Sequence, residues 1–130
     1  MKTIGILGGI SAEATLNYCR ELCKLTRRRL GGLHSPELLI RSLDFARIED
    51  LQMKGEWDAA GEILNQEARR LQTGGAELII LATHTMHKLA DPMMAGVHLQ
   101  LIHIADATAN AISAVGLNRP GLMATVLTME

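Results

Sequence analysis

AELIILATHTMHK, residues 76–88, passes from an unbroken apolar run into a knot of small polar groups. Leu78 through Ala82 are all apolar, and Thr83, His84, Thr85 and His87 then follow almost at once. A short continuous apolar run bounded by turn signals is consistent with a strand covered on both faces, the usual state of strands in a parallel sheet. The polar cluster then sits at the carboxyl end of a central strand, where open parallel sheets bind their ligands.

The neighbouring segments support that placement. TIGILGG, ending at Gly9, reads as a first strand closed by two glycines. Residues 11–32 read as a helix with Ser11 as its N-cap, Glu13 in the first turn, and Arg27, Arg28 and Arg29 crowding the last turn before Gly31. Those three arginines either complement the helix dipole or grip an anionic partner. PELLIRSLDF gives a second strand, and ARIEDLQMKGEW is a polar stretch. A long helix follows over WDAAGEILNQEARRLQTGG, where Ala60, Ile63, Leu64, Ala68 and Leu71 recur at helical spacing and Gly74 and Gly75 stop it. MHKLADPM is a short helix ended near Pro92, HLQLIHI a fourth strand, ADATANAISAVG a helix, and RPGLMATVL a fifth strand. Strands alternating with helices imply right-handed crossovers, hence a parallel sheet of four to five strands with helices on both faces. The chain then ends directly after a strand, with no helix to cover it. Either a partner chain covers that strand, which a homo-oligomer would provide, or the sequence belongs to something longer.

Composition narrows the function classes. At 130 residues the chain fits a single domain, 1–130. Apolar residues reach 48% but aromatics only 2%, so the core is aliphatic. A net charge of −1 gives no basic surface for nucleic acid or an anionic membrane. No stretch approaches the roughly 20 apolar residues of a membrane span. Cys19 and Cys23, four apart on one helix face, read as free thiols, and no other cysteine is present to complete a metal site. A reducing cytoplasm is the expected compartment.

Three segments should converge at the carboxyl edge of the sheet: Gly8–Ser11, residues 42–52, and Thr83–His87. The glycine turn and the helix behind it could hold a small carboxylate or phosphate on free N–H groups, or form a tight turn with no ligand. The pattern is not the G-x-G-x-x-G of a dinucleotide site, and no nucleotide cofactor is expected. One threonine of the cluster is explained by helix capping; two flanking a histidine exceed that need. His87 belongs to this cluster or to the outer face of the short helix.

With these segments laid out, the chain resembles the aspartate/glutamate racemase superfamily, most nearly its enterobacterial broad-specificity branch. TIGILGG, RLGGLHS, GEWDAAGEIL, THTMHK, HIADAT and the closing TME carry the resemblance. It implies one flavodoxin-like half of a two-domain, pyridoxal-independent amino-acid racemase, here the N-terminal half with the second domain absent. Each half of such an enzyme presents one acid/base residue to opposite sides of the substrate α-carbon. The resemblance makes Thr83 the catalytic residue of this half, at the place where most relatives carry a cysteine. It implies that Ile10, Gln52, Thr83, His84 and Thr85 contact the substrate, a small amino acid, with no cofactor and no metal. His84 stands where relatives have Asn, Ala12 where they have Trp, and Arg47 one position from a carboxylate-binding Arg. With no counterpart of the second domain's cysteine, the 130 residues are expected to be inactive alone. The rival readings are an amino-acid or small-anion binding module without turnover, and a non-catalytic oligomerising fragment.

Overall fold

The computed structural model describes residues 1–129; Glu130, the last residue of the closing TME, lies outside them. Four parallel strands form one sheet: β1 (Ile4–Gly8), β2 (Leu38–Ser42), β3 (Leu78–Leu81) and β4 (Gln100–Ile102), in the spatial order β2-β1-β3-β4. Around them run α1 (Ala12–Leu30), α2 (Phe45–Lys54), α3 (Trp57–Thr73), a 3-10 turn (Thr85–Leu89), α4 (Ala90–Met94), α5 (Ile104–Ala114) and α6 (Val126–Met129). The chain goes from β1 to β2 on one side and returns past β1 to β3 on the other. The strand order therefore reverses between β1 and β3.

Strand alternation sorts the side chains into two layers. The register pairs Gly5 with Leu39 and Ile79, Leu7 with Leu81, and Ile79 with Leu101, so these residues share one face. That face packs into the main core with Ile48 of α2, Ala60, Leu64, Ala68 and Leu71 of α3, and Met86, Leu89 and Met93 beyond β3. Asn65 on α3 fastens α4 by donating from Nδ2 to the carbonyls of Met93 (2.8 Å) and Ala95 (2.9 Å). Pro92 falls within the first turn of α4, where its missing N–H leaves no helical bond broken.

The opposite face carries Ile4, Ile6, Ile40, Ile80 and Ile102 and is covered more thinly. Ile40 is 46% exposed and Ile102 37% exposed, while α1 buries only Thr15 fully. Glu67 of α3 is buried and accepts from Arg41 on the edge strand β2 and from Arg70 one turn along its own helix. The Arg41 contact ties α3 to the sheet edge, and Arg70 shares the same carboxylate from within the helix.

Two expectations from the sequence need correction. The stretch after β2 is a helix, α2, capped by the Asp44 side chain accepting from the Ala46 N–H and stopped by Gly55 in the left-handed region. Its single buried stripe, Ile48 and Gln52 one turn apart, is too narrow to give a clear apolar period. The expected fifth strand does not form. Pro120 to Thr125 have no regular structure and Val126–Met129 make a helical turn, so the chain does not run out of a strand at this end. Leu122, Met123 and Val126 are 73%, 96% and 71% exposed: the segment is apolar and β-prone but does not pair with the outer edge of β4 or β2. Cys19 and Cys23 are free thiols, both half-buried.

Candidate functional site

The reversal between β1 and β3 defines a crevice at the carboxyl edge of the sheet. The Ala82 N–H donates to the Leu7 carbonyl (2.8 Å), carrying the β1–β3 register one residue past the strands. Thr83 therefore leaves the sheet beside the Gly8–Gly9 turn, as its sequence position implies. Its side chain is half-buried.

The glycine turn is shaped by its neighbours. Gly9 has φ +85°, and a Cβ there would stand 2.2 Å from the Leu43 carbonyl oxygen. A Cβ on Gly8 would meet the Thr15 hydroxyl at 2.3 Å. Thr15 Oγ1 accepts from the Gly9 N–H (3.0 Å) and donates to the Ser11 carbonyl (2.9 Å). Ser11 Oγ accepts from the Ala14 N–H (3.3 Å), confirming Ser11 as the cap. The close approach that demands glycine here is that of Thr15 and of the loop after β2.

At the end of β3, each polar group has a different fate. Thr85 Oγ1 lies 2.7 Å from Thr128 Oγ1, which joins this turn to α6. His84 is exposed. His87 is buried at 8% exposure and so is not on the outer face of the short helix. Its Nδ1 meets the Thr83 carbonyl at 2.7 Å, and its Nε2 accepts from the Ile104 N–H at 3.3 Å. Burial lowers the His87 pKa below its ordinary value; the backbone hydrogen bonds to Thr83 and His84 oppose that shift, and the nearby His103 reinforces it. Lys88 leans over the Trp57 ring, Nζ 3.9 Å from its centroid.

An apolar cleft of about 900 Å3 opens between this turn, α5 and the C-terminal segment. His84, Thr85, His87, His103 and Thr128 give it a polar side, and Ile104, Ile112 and Leu127 are among its apolar walls. His103 caps α5, its Nδ1 accepting from the Ala105 N–H (3.2 Å). The structure thus brings His84 and Thr85 to one cleft; Thr83 adjoins them in sequence but does not line it. Ile10, 6% exposed, belongs to the hydrophobic core, and Gln52 is buried at 9% on the inner stripe of α2; neither lines the cleft. Arg47 faces a separate groove between α2 and α3, with Asp50, Glu62 and Gln66. No cluster of three or more potential metal-binding side chains occurs among the described residues. No helix of the described residues is long and apolar enough to cross a membrane.

The sequence reading missed His103, Ile104 and Thr128. The signal for the first two was available: they follow β4 directly, and the strand-end rule applied to three strands applies equally to the fourth. Thr128 had no such signal, because the segment before it reads as a strand.

A four-stranded parallel sheet with helices around it and a reversal of strand order between β1 and β3 defines an open α/β domain. The chain belongs to the Asp/Glu/hydantoin racemase family, whose model matches residues 7–130. A solved structure of a candidate Asp/Glu racemase from Yersinia pestis is 45% identical, with a TM-score of 0.94 over 100% of this chain and 56% of that one. An aspartate racemase homologue from Pyrococcus horikoshii is 34% identical, with a TM-score of 0.81 over 89% of this chain and 50% of that one. The chain thus spans about half the length of these relatives.

Proposed function

We propose that the chain forms one flank of a pyridoxal-independent amino-acid racemase site, as the N-terminal α/β half of a two-domain enzyme, with Thr83 as its acid/base residue. The observation that carries this reading is the state of one hydroxyl. Thr15 and Thr85 have their hydroxyls engaged in hydrogen bonds, whereas that of Thr83, at the switch point, makes none among the described residues. His87 is held to the Thr83 carbonyl through Nδ1, so it is not the base that activates the hydroxyl.

Inversion at the α-carbon breaks the Cα–H bond on one side and forms a new one on the other, so it needs two groups. Thr83 serves one side; the complementary group comes from a second α/β domain of the kind that the length of the relatives allows. An alcohol yields its proton much less readily than a thiol, so proton transfer on the Thr83 side is the slower direction. The substrate is a free amino acid, bound by the Thr83–Thr85 turn, and the lineage within the family is the broad-specificity branch.

The test is chiral chromatography of L- and D-amino acids, with aspartate and glutamate in the panel, incubated with the 130-residue chain in deuterated water. No inversion is expected, and binding by calorimetry should be lost in Thr83→Ala. Interconversion by the chain itself would overturn the single-flank reading.

A further inference from the structure

His87 holds three points of the chain together, one through its backbone and two through its ring. Its backbone N–H donates to the His84 carbonyl (3.1 Å) within the 3-10 turn. Its Nδ1 reaches the end of β3 at Thr83, and its Nε2 reaches the first residue of α5 at Ile104. The ring also packs edge-on against His103, centroids 4.5 Å apart. A carbonyl only accepts and an amide N–H only donates, so these two partners leave a single form of the ring. The proton sits on Nδ1 and the lone pair on Nε2, which is neutral imidazole.

We propose that His87 is a positioning residue: its neutral ring, wedged between the Thr83 carbonyl and the Ile104 amide, fixes the strand-three turn against the start of α5 and lets go when protonated. A second proton on Nε2 would face the Ile104 N–H, donor against donor, at the positive end of the α5 dipole. The charged or titratable groups around the ring are His84 on its own turn, His103 capping α5, and Lys88 held over Trp57. No carboxylate lines the cleft among the described residues, so nothing there compensates an imidazolium. Folded His87 therefore binds its proton less readily than in the unfolded chain. The stability it contributes is present above the ordinary histidine range and is lost as pH falls through the lowered value.

The consequence for catalysis rests on the Thr83 reading, but the clamp is tested without a substrate. Nitrogen-detected NMR of the histidine rings in the 130-residue chain at neutral pH should show His87 protonated on Nδ1 alone. The protection factor of the Ile104 amide, its exchange measured against the intrinsic rate at each pH, should fall on acidification below the histidine range, about tenfold for one hydrogen bond lost. H87N keeps a donor near the Nδ1 position and loses the Nε2 acceptor. It should leave the Thr83 and His84 resonances near their wild-type positions, lower the Ile104 protection factor at neutral pH, and abolish the pH response of that factor. H103N, which preserves a capping side chain, should retain that response. An Nε2-protonated His87, or an Ile104 pH response that survives in H87N, would overturn the proposal. Loss of amino-acid binding in Thr83→Ala bears on the chemistry alone, so the two readings fail separately.

Discussion

Gly9→Ala should destabilise the domain through a clash that the backbone cannot relieve. The residue has φ +85°, and the added Cβ would sit 2.2 Å from Leu43 O and 2.3 Å from Leu43 N. Leu43 is itself held, its N–H donating to the Gly8 carbonyl at 2.9 Å. The left-handed conformation costs an alanine about 1–2 kcal/mol, and forcing a methyl into a packed site adds about 1–3 kcal/mol. Gly55→Ala isolates the first contribution: φ is +71° and nothing lies within 4 Å of a Cβ there. Urea denaturation of both variants, followed by circular dichroism at matched slopes, should therefore give Gly9→Ala an excess loss of about 1–3 kcal/mol over Gly55→Ala. Against a total of about 5–15 kcal/mol for an ordinary domain, that loss is easily resolved. Equal losses in the two variants would show that the loop after β2 yields freely, and the tight turn beside Thr83 would have to be abandoned.

Two further outcomes follow from the same structure. Thr15→Val keeps the shape of a buried side chain but removes the hydroxyl that accepts from Gly9 and donates to Ser11, so denaturant melts should show a loss of about 1–3 kcal/mol. Glu67 is pulled two ways: burial raises its carboxyl, but the hydrogen bond and charge of Arg41, with those of Arg70, prevail and hold it below the ordinary carboxylate range. A depressed folded value means stability that is present above the unfolded pKa and lost as pH falls through the folded one. Thermal midpoints should accordingly drop with acidification in that range, and Glu67→Gln should flatten the slope; a parallel pH curve for the variant would refute the assignment.

How far the sequence revealed this molecule depended on how strongly each segment declared its surroundings. β3 was legible because a fully covered strand must be apolar along its whole length, and α1 because Ser11, the terminal arginines and Gly31 mark both ends. α2 was hidden because most of its surface is solvated: Asp44 and Gly55 punctuate it, but only Ile48 and Gln52 are buried. The segment around Leu122 misled in the opposite way, since local β-preference does not decide whether a segment joins the sheet, and here it leaves the open edges of β2 and β4 unpaired. Topology placed all the candidate site residues at strand ends, and resemblance supplied their roles. The structure keeps Thr83, His84 and Thr85 at the edge of the sheet but draws Ile10 and Gln52 inward. The clamp on His87 could not be read at all, because its two partners are a carbonyl and an amide, groups that every residue carries.

The contrast between the two strand-end turns supports placing the proposed chemistry on one of them. Sequence alone makes the glycine turn after β1 look like an anion cradle, with small residues ahead of a long helix. In the folded chain, however, Thr15 takes the Gly9 N–H and Ser11 takes the Ala14 N–H, so the turn answers much of its own hydrogen-bonding demand. The turn after β3 is fixed instead by a backbone carbonyl, through His87, and by Thr85, through Thr128. Anchoring through those groups leaves the Thr83 hydroxyl unengaged among the described residues while denying its backbone freedom to drift. A group that must approach a carbon acid from a defined side needs both conditions, and a 1 Å displacement would undo much of the advantage of holding the reactants in place. The first turn offers rigidity without a free proton-transfer group, and exposed His84 offers such a group without comparable anchoring. Thr83 combines the two.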